Sequence, residues 1–155
     1  MRQRIRKILV TGGAGFMGSA FVREALKRHR HVVVVDALTY AGDLRRLKSV
    51  KEKLTFYKTD ITDEAKILRV IKKEQPHTLI HFAAETHVDR SIMDASPFIE
   101  TNVRGTYNLI EGALMHKVKK FIHISTDEVY GESKKGRFKE TDPLKARNPY
   151  SATKA

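Results

Sequence analysis

The chain is predicted to be an α/β protein built on a doubly wound parallel sheet. Five short runs rich in Val, Ile, Leu and Phe recur along its 155 residues, with amphipathic stretches of helical period between them and a glycine cluster directly after the first run. Val32 to Val35 are apolar at every position. Strands covered on both faces read this way, whereas a half-exposed strand alternates.

The first strand is predicted over residues 7–11, and it runs into TGGAGFMGSAF. Gly12, Gly15 and Gly18 are spaced three and three. At these places glycine permits a tight turn, a close approach of backbone to a pyrophosphate, and close seating of the following helix on its strand. That helix is predicted over 16–26, with its N-terminus turned to the phosphates. The second strand, 31–36, ends in Asp36, eighteen residues past Gly18, where a carboxylate accepts from adenosine ribose hydroxyls. Strand, glycine turn, helix, strand and acid together make a Rossmann-like dinucleotide fold. Ala37, Leu38 and Thr39 follow in place of arginine, so NAD is expected over NADP.

A helical pattern at 44–50 leads to a third strand at 54–58. Asp60, followed by Ile61, either reaches an adenine amino group or caps the next helix, which is predicted over 63–71 with Thr62 or Asp63 at its start. The fourth strand, 78–82, opens into HFAAETHVDRSI, where Ala83 and Ala84 leave room for a cofactor. Ile99, Val103, Tyr107, Ile110 and Leu114 are spaced four, four, three and four, a helical stripe expected to pack on the sheet. The fifth strand, 120–125, leads into Asp127 and Glu128. Two acids in sequence point to opposite faces of a strand, so they serve one site only if the strand has ended before them. Residues 131–149 are lysine-rich and proline-punctuated and read as a long surface loop. Pro149 is expected at the first position of a last helix that puts Tyr150 and Lys154 on one face, where a neighbouring ammonium favours the phenolate.

Composition limits the classes. With 41% hydrophobic residues the chain supports one core. It has no cysteine and no apolar run long enough to span a membrane, so a cytoplasmic protein is expected. The net charge of +12 is spread over RQRIRK, KRHRH, RRLKSVKEK, KVKK and KKGRFK rather than gathered into a basic stripe, which argues against a nucleic-acid partner. The seven histidines, among them His29 and His31 in a basic turn, lack ligand spacing, so no metal is expected.

TGGAGFMGSA, DALTYAG, HFAAETHVDRSI, ETNVRGTYNL, STDEVYGE and PYSATKA, in this order, resemble the extended short-chain dehydrogenase/reductases, and within them the sugar-nucleotide 4,6-dehydratases that act on dTDP-glucose. The resemblance implies cofactor contacts from Gly12, Gly15, Phe16, Met17, Gly18, Asp36, Leu38, Thr39, Gly42, Asp60, Ile61, Phe82, Ala83, Ala84, Thr101, Ser125, Tyr150 and Lys154. It implies substrate contacts from Thr86, Thr126, Asp127, Glu128 and Tyr150. Tyr150 would deprotonate the sugar 4-hydroxyl with Thr126 beside it, Glu128 would take the C5 proton, Asp127 would protonate the departing 6-hydroxyl, and Lys154 would bind the nicotinamide ribose. Ala37 stands where the family commonly has lysine, Thr86 where it has serine, and KARNPY lacks the usual Ser-Pro; these departures are expected to leave the chemistry untouched. The resemblance further implies a homodimer in the full-length form and a C-terminal sugar-nucleotide-binding region outside residues 1–155. The chain is therefore expected to be a dinucleotide-binding domain truncated on its C-terminal side, binding NAD without turnover on its own. A sugar-nucleotide 4-epimerase and a non-catalytic NAD-binding module remain as alternatives.

Overall fold

The computed structural model describes residues 6–28, 31–133 and 136–155; the basic start at 1–5 and His29 lie outside them. The chain forms two compact units, one running up to Ala83 and from Gly105 to Ile124, the other from Ala84 to Arg104 and from Ser125 to Ala155.

The first unit holds β1 (Ile8–Thr11), α1 (Phe16–Arg28), β2 (Val32–Asp36), a 3₁₀ helix (Leu44–Lys53), β3 (Leu54–Lys58), α2 (Glu64–Glu74), β4 (Thr78–His81), α5 (Thr106–Met115) and β5 (Lys120–His123). The five strands form one parallel sheet in the order β3-β2-β1-β4-β5, with β1 at the centre. Alternation within β2 explains its unbroken apolar run. Val33 and Val35 join Leu9, Ile67, Ile71, Leu79 and Leu109 on one face of the sheet, while Val32 and Val34 join Ile8, Val10, Val22 and Leu47 on the other. Asp63, rather than Thr62, caps α2, accepting from the Lys66 amide at 3.0 Å.

The second unit contains α3 (Val88–Met93), α4 (Ser96–Phe98), a π-helical turn (Ile99–Gly105), a 3₁₀ helix (Asp127–Tyr130) and α6 (Pro149–Lys154). No helix or strand occurs between Gly131 and Asn148 among the described residues, as the loop reading expected. The two short helices α3 and α4 were not foreseen.

Three expectations need correction. The segment 44–50 is 3₁₀ rather than α-helical and extends to Lys53. The fifth strand ends at His123, two residues earlier than expected, and the acids, already beyond the expected strand end, lie on a 3₁₀ helix. Finally, the apolar stripe does not face the sheet: Ile99, Val103, Tyr107, Ile110 and Leu114 are all exposed, Leu114 to 70%. The buried positions of α5 are Asn108, Leu109, Gly112 and Ala113. The reason is close packing. A Cβ on Gly112 would lie 2.6 Å from Ile71 Cδ1, and one on Gly105 would lie 2.5 Å from Ile61 Cγ1. Asn108 Nδ2 donates to the Ile61 carbonyl at 3.0 Å. A helix face lying this near its neighbours selects small residues and a paired amide, so counting large apolar side chains picks the wrong face.

Leu109→Ala is expected to lower the unfolding free energy by about 2–5 kcal/mol, the range for a buried leucine. Leu114→Ala is expected to change it by no more than about 0.5 kcal/mol in a sample shown to be monomeric. Urea denaturation of both variants checks the assignment, and the reverse ranking would restore the original face.

Candidate functional site

In the first unit the glycine turn is built by backbone contact. Gly12 takes φ +66, and a Cβ there would stand 2.6 Å from the Ala83 amide nitrogen. A Cβ on Gly18 would collide with the Gly12 carbonyl oxygen, so α1 starts hard against the turn. At Gly15 an added Cβ would meet only that same oxygen, at 3.1 Å. Phe16 and Met17, in the first turn of α1, are exposed.

Asp36 holds this turn in place as well as marking the end of β2. Its Oδ2 accepts from the Ala14 amide at 2.8 Å, and its Oδ1 accepts from the Leu38 amide at 2.8 Å. Leu38 sits at φ +56, a strained left-handed geometry for leucine, and a Cβ on Gly42 would fall 2.7 Å from Asp36 Oδ1. The arginines that follow Asp36 in sequence are engaged elsewhere. Arg45 pairs with Asp43, and Arg46 Nη1 donates to the carbonyls of Ala14 and Ala41 at 3.0 and 2.6 Å.

Asp60 does not cap α2. It makes a local turn, accepting from the Thr62 amide and hydroxyl at 2.9 Å each, while Ile61 is buried. At the end of β4, Phe82 packs on Phe21 with ring centres 5.4 Å apart. The buried His81 joins Thr11 Oγ1 through Nδ1 at 2.7 Å and Thr106 Oγ1 through Nε2 at 2.8 Å. Thr11 Oγ1 also accepts from the Ala83 amide at 3.5 Å. His81 was not singled out from the sequence, and a lone histidine in an apolar strand gives no sign of its partners.

In the second unit the acids lie on the 3₁₀ helix, which Thr126 caps by accepting from the Glu128 amide at 3.3 Å. Asp127 is exposed and Glu128 half-buried. Glu128 Oε2 accepts from Asn148 Nδ2 at 3.0 Å. Tyr150 is held by its amide, which donates to Ser91 Oγ at 3.1 Å, and by an edge contact with Phe98 at 6.4 Å. Burial pushes the Tyr150 phenol above its ordinary value; a hydrogen bond with Thr126 works against this, and the charges of Glu128 and Asp127 add to it. The unit therefore brings Thr126, Asp127, Glu128 and Tyr150 together. The net shift is upward, with burial the largest cause, opposite in direction to the expectation that a neighbouring ammonium makes the phenol more acidic.

Further contacts fix the helix that carries Tyr150. Asn102, buried in the π-helical turn, accepts from the Glu85 amide at 2.8 Å and donates to the Glu85 carbonyl and to Thr153 Oγ1 at 3.0 Å each. Thr153 in turn donates to the Tyr150 carbonyl at 2.7 Å. Ser125 Oγ donates to the Lys154 carbonyl at 2.6 Å, so this hydroxyl serves the helix end. Thr86 is exposed, and Ala84 and Thr101 are half-buried. Asn102, Ser91 and Asn148 were missed, although Asn148-Pro149 carries the signature of a capped helix start. No group of three His, Asp or Glu residues suited to a metal is found among the described residues, and no helix of the described residues is long and apolar enough to cross a membrane.

Residues 9–155 match the family described as GDP-mannose 4,6 dehydratase. The dTDP-glucose 4,6-dehydratase of Neisseria meningitidis serogroup B is 48% identical to 97% of the chain, which covers 46% of that protein. Among solved structures, DesIV, a dTDP-glucose 4,6-dehydratase from Streptomyces venezuelae with NAD and TYD bound, superposes with a TM-score of 0.91 at 44% identity, over 96% of this chain and 48% of that one. The UDP-Glc/GlcNAc 4-epimerase of Campylobacter jejuni gives a TM-score of 0.90 at 34% identity, over 96% of this chain and 46% of its own. The chain spans about half the length of the curated relatives it matches.

Lys154 has an energetic consequence that can be measured. Only 4% exposed, its ammonium is brought down by burial from 10.5 to about 8. Between these two values the unfolded chain binds more protons than the folded one, so this group makes stability rise as pH climbs from about 8 to 10.5; below pH 8 the buried charge costs about 3 kcal/mol. Lys154→Met is expected to be more stable than the parent at pH 7 and to lose that rise. Urea midpoints of both proteins across this range check it, and parallel curves would refute it.

Proposed function

The chain belongs to the GDP-mannose 4,6 dehydratase family, and we propose that it serves a sugar-nucleotide 4,6-dehydratase that converts dTDP-glucose to dTDP-4-keto-6-deoxyglucose. The observation that carries this reading is the pair of carboxylates, Asp127 and Glu128, on one short helix capped by Thr126, with the charges of both acting on the Tyr150 phenol. Elimination of water needs one group to take a proton and another to give one, and adjacent carboxylates in unequal surroundings can divide that work. Glu128 is half-buried and held by an amide, while Asp127 is exposed.

The pyrophosphate and adenosine of NAD fit the first unit. The backbone at Gly12, Gly15 and Gly18 leaves a cradle without side chains at the start of a helix, and Asp36 ends β2 beside it. We assign Gly12, Gly15, Phe16, Met17 and Gly18 to the pyrophosphate, Asp36, Leu38, Thr39 and Gly42 to the adenosine ribose, Asp60 and Ile61 to the adenine, and Phe82, Ala83, Ala84, Thr101, Ser125 and Lys154 to the nicotinamide half. When bound, NAD supplies oxidation at the sugar C4 and the matching reduction at C6. Tyr150, aligned by Thr126, takes the 4-hydroxyl proton. The resulting ketone acidifies C5, Glu128 removes that proton, and Asp127 protonates the 6-hydroxyl, which leaves as water. Thr86 contributes to sugar binding. The 4-epimerase reading draws on the likeness to the Campylobacter enzyme, but it gives the two acids no task.

We further infer that a second copy of the chain covers the exposed apolar face of α5, where Tyr107, Ile110 and Leu114 stand one turn apart. A cytoplasmic location accords with a chain free of cysteine.

Three outcomes are expected. Asp36→Asn should narrow the preference for NAD over NADP, because the charge that repels a 2′-phosphate is gone; calorimetry that finds the preference unchanged would remove Asp36 from this role. In the protein as its gene encodes it, Tyr150→Phe should abolish NAD reduction, while Glu128→Gln should allow reduction and block elimination, so that NADH absorbance rises in a single turnover and persists. Normal dehydration by Glu128→Gln would refute the assignment. Tyr107→Arg should shift the sedimenting species from dimer to monomer, and an unchanged sedimentation coefficient would reject the α5 interface.

A further inference from the structure

Asn148 links two parts of the second unit. Its Oδ1 accepts from the Ser151 amide at 2.7 Å, and its own amide donates to Ser151 Oγ at 3.3 Å, a reciprocal cap on the helix that carries Tyr150 and Lys154. The same side chain donates from Nδ2 to Glu128 Oε2 at 3.0 Å. The backbone already holds these segments together: the Lys145 amide donates to the Val129 carbonyl at 2.9 Å, and Gly131, at φ +85, leaves just enough room for the Lys145 carbonyl, 2.5 Å from where its Cβ would be. The side-chain bond is therefore part of a seam between the two segments.

Among helix caps, asparagine is suited to this double task. Aspartate and serine cap as well, but aspartate has no proton to donate and would face Glu128 with like charge, while serine is shorter and commits its oxygen to the cap. This is the position where the resemblance expects Ser-Pro, a departure first read as neutral for the chemistry.

We propose that Asn148 is a positioning residue that registers the Glu128 carboxylate against the Tyr150–Lys154 helix, holding Oε2 so that the other oxygen receives the C5 proton. This rests on the dehydratase reading given above. One oxygen is oriented by a neutral donor, the other accepts the proton, and the cap keeps the phenol that starts the reaction at a fixed spacing from the base that continues it.

The test uses the protein as its gene encodes it and follows NADH absorbance and formation of the 4-keto-6-deoxy product in a single turnover. Asn148→Ser keeps a cap and loses the donor. Its melting temperature should stay close to the parent's and NAD reduction within about threefold, while elimination slows at least about tenfold, so that NADH accumulates. Asn148→Asp, which caps but cannot donate, should slow elimination at least as much and carries the test should the serine variant fail to fold. Elimination at the parental rate in either folded variant overturns the proposal. Glu128→Gln separates the two levels. If it eliminates normally, the role of Glu128 fails; if it blocks elimination while Asn148→Ser does not, only the role of Asn148 fails.

Discussion

At Gly12 the main chain passes so close to Ala83 that a methyl group would stand 2.6 Å from a backbone nitrogen, and this exclusion governs much of the first unit. β1 is the central strand, so wherever its exit goes, the strands on either side must allow it. The turn closes on itself at Gly18, leans on the end of β4 through Gly12, and is tied to the end of β2 by the Asp36 carboxylate at the Ala14 amide. One turn thus collects the carboxyl ends of three strands. At Gly12 and Gly18 the space a Cβ would take is already filled by the protein's own backbone, so the turn can only be glycine there.

The sheet was legible because parallel strands covered on both faces must be apolar throughout, and Val32 to Val35 or Ile8 to Val10 satisfy this without help from the rest of the chain. Strand ends were less legible: Ile124 still donates to the His81 carbonyl at 3.1 Å, yet the ladder has stopped at His123. The inward face of α5 was misread because close approach had replaced large side chains with Gly112, Ala113 and Asn108. Within the site, glycine spacing, Asp36, the two acids and the Tyr-Lys spacing carry local signals. Asn102, His81, Ser91 and Asn148 carry none that is sufficient, since each is defined by a partner distant in the chain, 59 residues away for Ser91 and Tyr150.

Those four residues share a physical logic. Each is a polar side chain at least partly withdrawn from water, and an unmet donor or acceptor there would cost about 1–3 kcal/mol. The cost makes them selective. Asn102 uses both ends of its amide on Glu85 and the spare donor on Thr153, so only one arrangement of those strands of chain satisfies it. Apolar packing tolerates small slips between elements, whereas a three-bonded amide does not. In the second unit, Tyr150 and Glu128 are thus tied to the fold by polar side chains of this kind, Ser91 at the Tyr150 amide and Asn148 at the Glu128 carboxylate.

The seam at Val129, Gly131 and Lys145 matters for how this protein can diverge. It joins the two ends of the long loop at its base, between the 3₁₀ helix and α6, so the link between them does not depend on the length of chain in between. Loop closure entropy grows slowly with length, about 0.6 kcal/mol for each doubling. Insertions between Gly131 and Lys145 consequently cost little, and this segment can be lengthened, shortened or recharged while the spacing of Asp127, Glu128 and Tyr150 is kept.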